Sequence, residues 1–509
     1  MKKIMAVALA AFALSASAAW QRVGSVQLAD VNALTKGVSK VGEMTGNQML
    51  GMMVTPALMG MPDVQLFGPG RDGAATLYVM FVDDAAKDDA DFDSLCEFAI
   101  LHPVTQTKAE FIAAHDGCVE KDGVIRVAME DDDDDDDDDD DVADADEFKF
   151  VVFSPDGKWA AMSDKAAQAK AALQSVAQAE RPMKNDLLRV FVDPSGMKEL
   201  QKFFEKTANK AAKEAKGECD LKQALDAVKQ VSSLAAGLGV DDIGIALHGA
   251  VVPTKGSNLS QCGMTPLEAN PLAFAAKDAL VAVAEAAGSG AQTVKWSEIV
   301  KVLSKHGIKV QDFIAVDEKP GQTSFVLDTA ALIKFFKEES EKLAKKIDPK
   351  ALKADVSTLD KDKTIFSPKS EANKATLSVK GFTPAVSPAE RLAKVLPEAA
   401  KKQPFSVSVV SYYAVVRAIL PEVSSLVEKD EKAMFDTVMA AMPPCGDGGM
   451  ACATWREKDK LFALVKVSAD EVKGISSMFS AFAAMQMQKA MKQAQENAKR
   501  QTKTPAAAK

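Results

Sequence analysis

Eleven consecutive aspartates, Asp131 to Asp141, are the most conspicuous reactive groups in this chain of 509 residues. Glu130, Asp144, Asp146 and Glu147 extend the acidic tract. Like charges this dense repel one another and cannot be buried, so residues 130–147 are expected to form a disordered, solvated loop. Carboxylate oxygens suit a hard cation. Asp131, Asp133, Asp135, Asp137, Asp139 and Asp141 are therefore candidate ligands for weak, multi-site Ca²⁺ binding, and a basic protein is the other partner such a tract would attract. The run lacks the fixed geometry of a tight site. A plain solvated spacer is the competing reading.

Methionine clusters come next. Met44, Met49, Met52, Met53, Met59 and Met61 crowd one segment, and Met478, Met485, Met487 and Met491 another. Thioethers are soft ligands for Cu(I), but flexible methionines also fill irregular cores and greasy interaction surfaces. Core or lid packing is the reading adopted; a surface for a partner or an apolar ligand is its rival.

Six cysteines in a chain bound for an oxidising compartment suggest disulfides. Proximity favours Cys96–Cys118, Cys219–Cys262 and Cys445–Cys452 among fifteen possible connectivities. The last pair flanks the turn-rich loop Pro443-Pro444-Cys445-Gly446-Asp447-Gly448-Gly449. Zinc is not expected: there is no C-x-x-C, and none of the four histidines has ligand spacing to a cysteine pair.

Gly68-Pro69-Gly70-Arg71-Asp72-Gly73 spells G-x-G-x-x-G. Dinucleotide binding needs a strand before that motif and a helix after it. Here a strand follows, and Pro69 removes one backbone donor, so the segment reads as a turn. No G-x-S-x-G elbow, H-E-x-x-H, Walker loop or EF-hand loop occurs. With no nucleophile–base signature and few histidines, the reading is a non-catalytic structural or binding protein without a cofactor beyond weak Ca²⁺. The alternatives are a hydrolase whose site is assembled from distant residues, and a carrier of apolar ligands.

Lys2 and Lys3, the apolar run Ile4 to Leu14 and Ala16-Ser17-Ala18 form a signal peptide over 1–18, in that order. The mature chain is expected to begin at Ala19 or Trp20, in the periplasm or outside the cell. The first cysteine is Cys96, so no lipid anchor is expected. Fifteen acidic residues lie between Glu130 and Glu147, so the formal charge of −10 masks a body of +5, or +3 without Lys2 and Lys3. Such a body with one acidic tract is a poor fit to nucleic acid. The longest uncharged stretch, Met44 to Pro62, is broken by Gly46, Gly51, Gly60 and Pro56. It is too interrupted to span a membrane.

These groups must be positioned by alternating strands and helices. Ala75–Val82, Cys96–His102, Val124–Met129, Phe148–Ser154 and Trp159–Met162 read as strands, and Thr107 with Glu110 opens a helix. A unit of strand, N-cap and amphipathic helix recurs at Gly24–Asp30, at Leu187–Val192 with Asp193, and at Ser324–Leu327 with Asp328. A looser copy starts at Ser406. Trp296, Ile299, Val300 and Leu303 share a helical face and read as core. A hairpin is expected around Cys445–Cys452, then a strand Leu461–Val467. The final helix opens on a Ser468–Glu471 capping box and packs Val472, Ile475, Phe479 and Phe482.

The fold class is therefore α+β: antiparallel sheets with flanking helices, built from repeated strand–N-cap–helix units. A chain this long exceeds one ordinary core. After the signal peptide come an α+β domain over 19–182 holding the acidic loop, a second over 183–344, a linker or long loop over 345–373, a C-terminal part over 374–498, and a disordered tail over 499–509. In this pattern the chain resembles uncharacterised exported bacterial proteins built from repeated strand–helix units. That resemblance covers most of the mature chain and brings no catalytic residues with it.

Overall fold

A computed structural model gives the fold, and describes residues 21–82, 96–128, 148–181, 183, 185–202, 205, 225–291, 295–359, 366–427 and 429–502. The expected signal peptide, the whole acidic tract over 130–147 and the tail beyond residue 502 lie outside them.

The fold is α+β, and the strands among the described residues form one 17-stranded sheet. In the N-terminal half come β1 (Gln21–Leu28), helices α1 (Val31–Thr45), α2 (Met49–Met59) and α3 (Pro62–Phe67), β2 (Thr76–Val82), β3 (Cys96–Pro103) and α4 (Lys108–Ala114). They are followed by β4 (Val119–Lys121), β5 (Val124–Ala128), β6 (Phe148–Phe153), β7 (Trp159–Ser163), α5 (Ala166–Ala172), α6 (Val176–Ala179), β8 (Asp186–Val192), β9 (Val231–Val240) and β10 (Gly244–Pro253). The C-terminal half holds α7 (Asn258–Gln261), β11 (Ala279–Glu285), α8 (Trp296–Lys305), β12 (Ile314–Lys319), β13 (Gln322–Leu327), α9 (Thr329–Lys346), α10 (Pro349–Thr358) and β14 (Asn373–Val379). It closes with α11 (Pro388–Val395), β15 (Ser406–Val410), α12 (Tyr412–Val423), α13 (Lys429–Ala441), β16 (Met450–Glu457), β17 (Lys460–Ser468) and α14 (Ala469–Thr502).

Pairing runs β4-β5-β6-β7-β3-β2-β1-β8-β9-β10-β17-β16-β15-β11-β14-β13-β12. Every neighbouring pair is antiparallel except β13–β14. Three units share one plan: a strand, a capped helix, an antiparallel return strand, and a third strand beside it. They are β1-β2-β3, β8-β9-β10 and β15-β16-β17, and they abut through β1–β8 and β10–β17. Asp30 and Asp193 are the caps the sequence suggests, and the structure adds Ser411 for the third unit. Asp30 accepts from Ala33 N at 3.0 Å, Asp193 from Gly196 N at 2.9 Å, and Ser411 from Ala414 N at 3.3 Å. Asp328 caps α9 in the same way, but its unit returns as the parallel strand β14.

Both faces of the sheet carry helices, because the strands alternate side chains to either side. On one face Val26, Tyr78, Met80, Val190 and Val192 are buried under Met197 and Leu200. On the other, Leu77, Val79 and Leu101 pack under Ala169, Ala172 and Ala179 of α5 and α6. Further along that second face, Ala282, Val407, Val409 and Ala453 pack under Leu392 and Val395 of α11. Between these two helical covers a strip of β8, β9, β10 and β17 stays open.

Several sequence expectations change. The segment 345–373 contains the end of α9 and all of α10, so Lys- and Asp-rich composition there marks solvent-facing helix as well as loop. The glycine-rich loop 443–449 joins α13 to β16, and the hairpin lies at Glu457–Lys460. Ser468 does accept from Glu471 N at 3.2 Å, but the Glu471 carboxylate turns to another helix, so the box is half made. Ile475, Met478 and Phe482 pack against α12 and α13, whereas Phe479 is 66 % exposed. Trp296 meets Phe325 edge-on, yet α8 buries no residue completely. Met44 is buried, but Met49, Met52, Met53 and Met59 of α2 are exposed, contrary to the packing reading. No helix among the described residues is long and apolar enough to cross a membrane.

Candidate functional site

The open strip forms a trough of about 530 Å³, continuous with a smaller one of about 290 Å³ through the shared residues Arg181, Phe191, Ala235 and Ala250. Its floor follows from strand register, since residues directly opposite in an antiparallel pair share a face. Three rows cross the strands. The first is Asp186, Gly239, Ala246 and Lys466. The second is Arg189, Gly237, His248 and Leu464. The third is Phe191, Ala235, Ala250, Phe462 and Trp455.

The β9 position of each row is glycine or alanine, which leaves room above β9 for the larger side chains of β8, β10 and β17. His248 on β10 reaches across Gly237 on β9 to Asp186 on β8, with Nε2 and Oδ1 2.8 Å apart. A Cβ at Gly237 would lie 2.5 Å from His248 Nε2, so only glycine leaves room for that crossing. Arg189 Nε donates to the other Asp186 oxygen. Burial disfavours the Asp186 charge, but the hydrogen bonds from His248 and Arg189 outweigh it and hold the carboxyl below its ordinary range. Lys466, 2 % exposed in its side chain, donates to Asp241 at 2.6 Å. This accounts for the charge of the first row.

The third row is aromatic at both ends. Phe191 lies under the Arg181 guanidinium, 5.6 Å from it. Across the alanines, Phe462 stacks on Trp455 at 5.4 Å and 6°. Lys402 lies 5.9 Å over the Trp455 ring and bonds Glu457. With strands about 4.8 Å apart, the alanine gap is roughly the width of a flat ring system. Arg22 borders the smaller trough and bonds Gln178 at 2.7 Å. Neither Arg22 nor Arg181 has a carboxylate partner among the described residues.

Chemically, the site offers a His–Asp pair, exposed arginine and two aromatic walls. His248, 40 % exposed in its side chain, could accept or donate a proton at Nδ1. Among the described residues the larger trough is lined by no serine, threonine or cysteine, so no hydroxyl or thiol stands beside the pair there.

Other titratable groups cluster away from the trough. His102 Nδ1 lies 2.9 Å from Asp63 Oδ2 and 3.2 Å from Thr76 Oγ1, and Tyr78 donates to Asp63 at 3.2 Å. Burial pushes the Tyr78 hydroxyl well above its ordinary range, with Asp63 adding to the effect. The group is sealed behind the Gly68–Gly73 turn, where Gly70 has φ +81° and a Cβ would touch His102. Neither trough reaches it, and it ties α3 to β2 and β3.

The residues singled out by sequence are elsewhere. Asp131, Asp133, Asp135, Asp137, Asp139 and Asp141 lie outside the described residues, as do Cys219 and the Cys96 side chain. No cluster of metal-binding side chains occurs among the described residues. Cys118, Cys262, Cys445 and Cys452 are free thiols. The Cys445–Cys452 bond suggested by loop length is not formed here: Cys452 sits inside β16 opposite Ser408, while Cys445 packs with Tyr413 and Met442 under the helices. Cys262 donates its thiol to Asn258 O at 3.2 Å. Sequence reading passed over Asp186, Arg189, His248 and Trp455. The available signal was the small-residue alternation Ala235, Gly237, Gly239, which marks close approach in a strand. Comparison with protein-family models, with curated proteins and with solved structures finds no match.

Proposed function

We propose that this is a non-catalytic binding protein whose trough holds an anionic ligand with a flat apolar part. The observation that carries this is Arg181, which borders both cavities, lies over Phe191 and has no carboxylate partner among the described residues. An exposed guanidinium beside an aromatic slot favours a planar anion, because it can stack and form paired hydrogen bonds together. Titration with the aromatic sulfonate 1-anilinonaphthalene-8-sulfonate tests the reading. Arg181→Ala should weaken binding by roughly tenfold or more, the loss of one charge-assisted contact. Equal binding by the variant would place the ligand elsewhere. A hydrolase reading would use His248, oriented by Asp186, to activate a water or a hydroxyl, and the described lining of the larger trough supplies no serine, threonine or cysteine for that role.

The acidic tract is proposed as a weak cation site. In support, Ala128 at the end of β5 pairs with Phe148 at the start of β6, so the strands on either side of the tract pair without it. Replacing Asp131 to Asp141 by an equally long Gly/Ser segment should abolish most Ca²⁺ binding in calorimetry. That binding is expected on the order of 10⁻⁴–10⁻³ M, as in loosely organised extracellular sites. The melting temperature without Ca²⁺ should stay equal or rise, since like-charge repulsion is removed. Retained Ca²⁺ binding, or a large drop in melting temperature, would contradict the assignment.

A further inference from the structure

The smaller trough carries positive charge that the fold leaves unbalanced. Arg22, Arg181 and Lys460 border it, against a single carboxylate, Asp193. Asp193 Oδ1 is already engaged at the start of its helix, accepting from Ser195 Oγ at 2.6 Å and from Gly196 N at 2.9 Å. Arg22 is held in place. Its Nη2 donates to Gln178 Oε1 at 2.7 Å, and Gln178 Nε2 donates to the Oγ of Ser25, a residue only 2 % exposed. That is the guanidinium's only hydrogen bond among the described residues, and its Nε is buried with no partner. The larger trough differs in balance. Its lining includes the carboxylates Asp186, Asp241 and Glu398. Asp186 takes His248 and Arg189, Asp241 takes Lys466, and Lys402 bonds Glu457. An anion placed there meets cations already paired, and three acids. At the Arg22 end it meets two guanidiniums with no carboxylate partner among the described residues.

Strand register sets the distance between this charge and the aromatic walls. Ser233 and Val252 stand opposite one another on β9 and β10, two residues beyond Ala235 and Ala250, and so form a fourth row on the same face. Both border the smaller trough. The fourth row lies roughly 6–7 Å past the row of Phe191, Phe462 and Trp455, the offset of an acid group carried a bond or two from a ring. Arg181 joins the two levels, since it lies over Phe191 and borders both troughs.

We propose that the ligand is an aromatic phosphomonoester, with its ring on the alanine floor and its doubly charged head in the smaller trough between Arg22 and Arg181. This rests on the reading of the trough as a site for a flat anion, and adds the charge and the direction of that anion. Three cations against one engaged carboxylate match a phosphomonoester, which carries close to two negative charges near neutrality, better than the single charge of a carboxylate or sulfonate. Planar guanidinium groups also meet phosphate oxygens in pairs.

Calorimetry of the full mature chain with 1-naphthyl phosphate and 1-naphthalenesulfonate, at about pH 8, tests this. The two probes share a ring and a tetrahedral head and differ in head charge. The wild type should bind the phosphate roughly tenfold more tightly, the gain from one further charge-assisted contact. Arg22→Gln should erase that preference and leave sulfonate binding within about twofold, because Arg181 still serves a single charge. Equal binding of the two probes by the wild type would overturn the proposal, and this comparison holds even if the variant folds poorly. A folded Arg22→Gln variant that keeps the preference, or that loses both probes alike, would overturn it too. Loss of sulfonate binding in Arg181→Ala, with no phosphate preference in the wild type, would sink this inference and leave the trough as an anion site. Sulfonate binding indifferent to Arg181→Ala, or binding of neither probe, would remove the underlying reading and this inference with it.

Discussion

Gly196→Ala should cost more than about 3 kcal/mol of stability, a loss large enough to be diagnostic of a single steric cause. A Cβ built at Gly196 overlaps the Val23 carbonyl oxygen and lies 2.6 Å from Val23 C and 3.0 Å from Val23 Cα. The obstacle is backbone, so no rotamer change relieves it. Neither side can retreat cheaply. Gly196 N is bonded to Asp193, which starts the helix, and Met197 and Leu200 one turn on are buried with Val23 and Val26. On the other side, Gly24 holds β1 against Val192 of β8. Shifting the helix start would therefore give up either the cap or the first core cluster. Gly60→Ala supplies the contrast: its Cβ would meet nothing closer than 3.7 Å, and its φ of −83° suits any residue. That change should be neutral or stabilise by a few tenths of a kcal/mol, through the unfolded chain. Urea unfolding of the two variants should separate them widely. Equal midpoints would mean that helix and β1 do not cross as described.

Glu471→Ala should be similarly damaging, by about 3–5 kcal/mol, because it breaks a buried charge arrangement from one side. Glu471 is 3 % exposed and serves a helix other than its own. It accepts from Tyr413 N at 2.7 Å and from Ser411 Oγ at 3.2 Å, which closes the start of α12. Arg391, 1 % exposed, faces the same region, and its Nε and Nη1 have no hydrogen-bond partner. Truncating Glu471 leaves that guanidinium without its main counter-charge and strands a buried N–H. Burial pushes the Glu471 carboxyl above its ordinary value of 4.5, although the hydrogen bonds and Arg391 oppose the shift. A carboxyl raised in the folded state favours folding while protonated. That contribution is present below the unfolded pKa and fades as pH rises through the raised value. Wild-type stability should therefore fall across that window above about pH 4.5. Glu471→Gln keeps an acceptor for Tyr413 N and cannot ionise. It should lose less stability than Glu471→Ala and show no fall in that window. Two variants with the same pH slope as the wild type would dismiss Glu471 as the titrating group.

Sequence alone determined what depends on neighbours within a few residues. Asp30, Asp193 and Asp328 were recognisable as caps because each bonds an N–H three residues on, whatever the rest of the chain does. The Thr107–Glu110 capping box is formed for the same reason. Strand and helix alternation was legible in hydrophobic period, and the α+β class followed. The turn at Gly68–Gly73 was legible because the strand stands on the wrong side of it. The tertiary structure decided everything that rests on which strands become neighbours. Asp186 and His248 are 62 residues apart and meet only because β8, β9 and β10 lie side by side in one register. Gly237 signals a close approach in its strand, but that His248 is what crosses it follows only from the pairing of β9 with β10. Glu471 reads as a partner for Ser468, and is taken instead by α12 packed across it. Phe479 shares a helical period with Ile475 and Phe482, but the packing angle of α14 on α12 and α13 leaves it outside. Local hydrogen bonding is fixed by the chain's covalent reach, whereas a site built on opposed strands depends on long-range pairing whose partners no spacing in the sequence specifies.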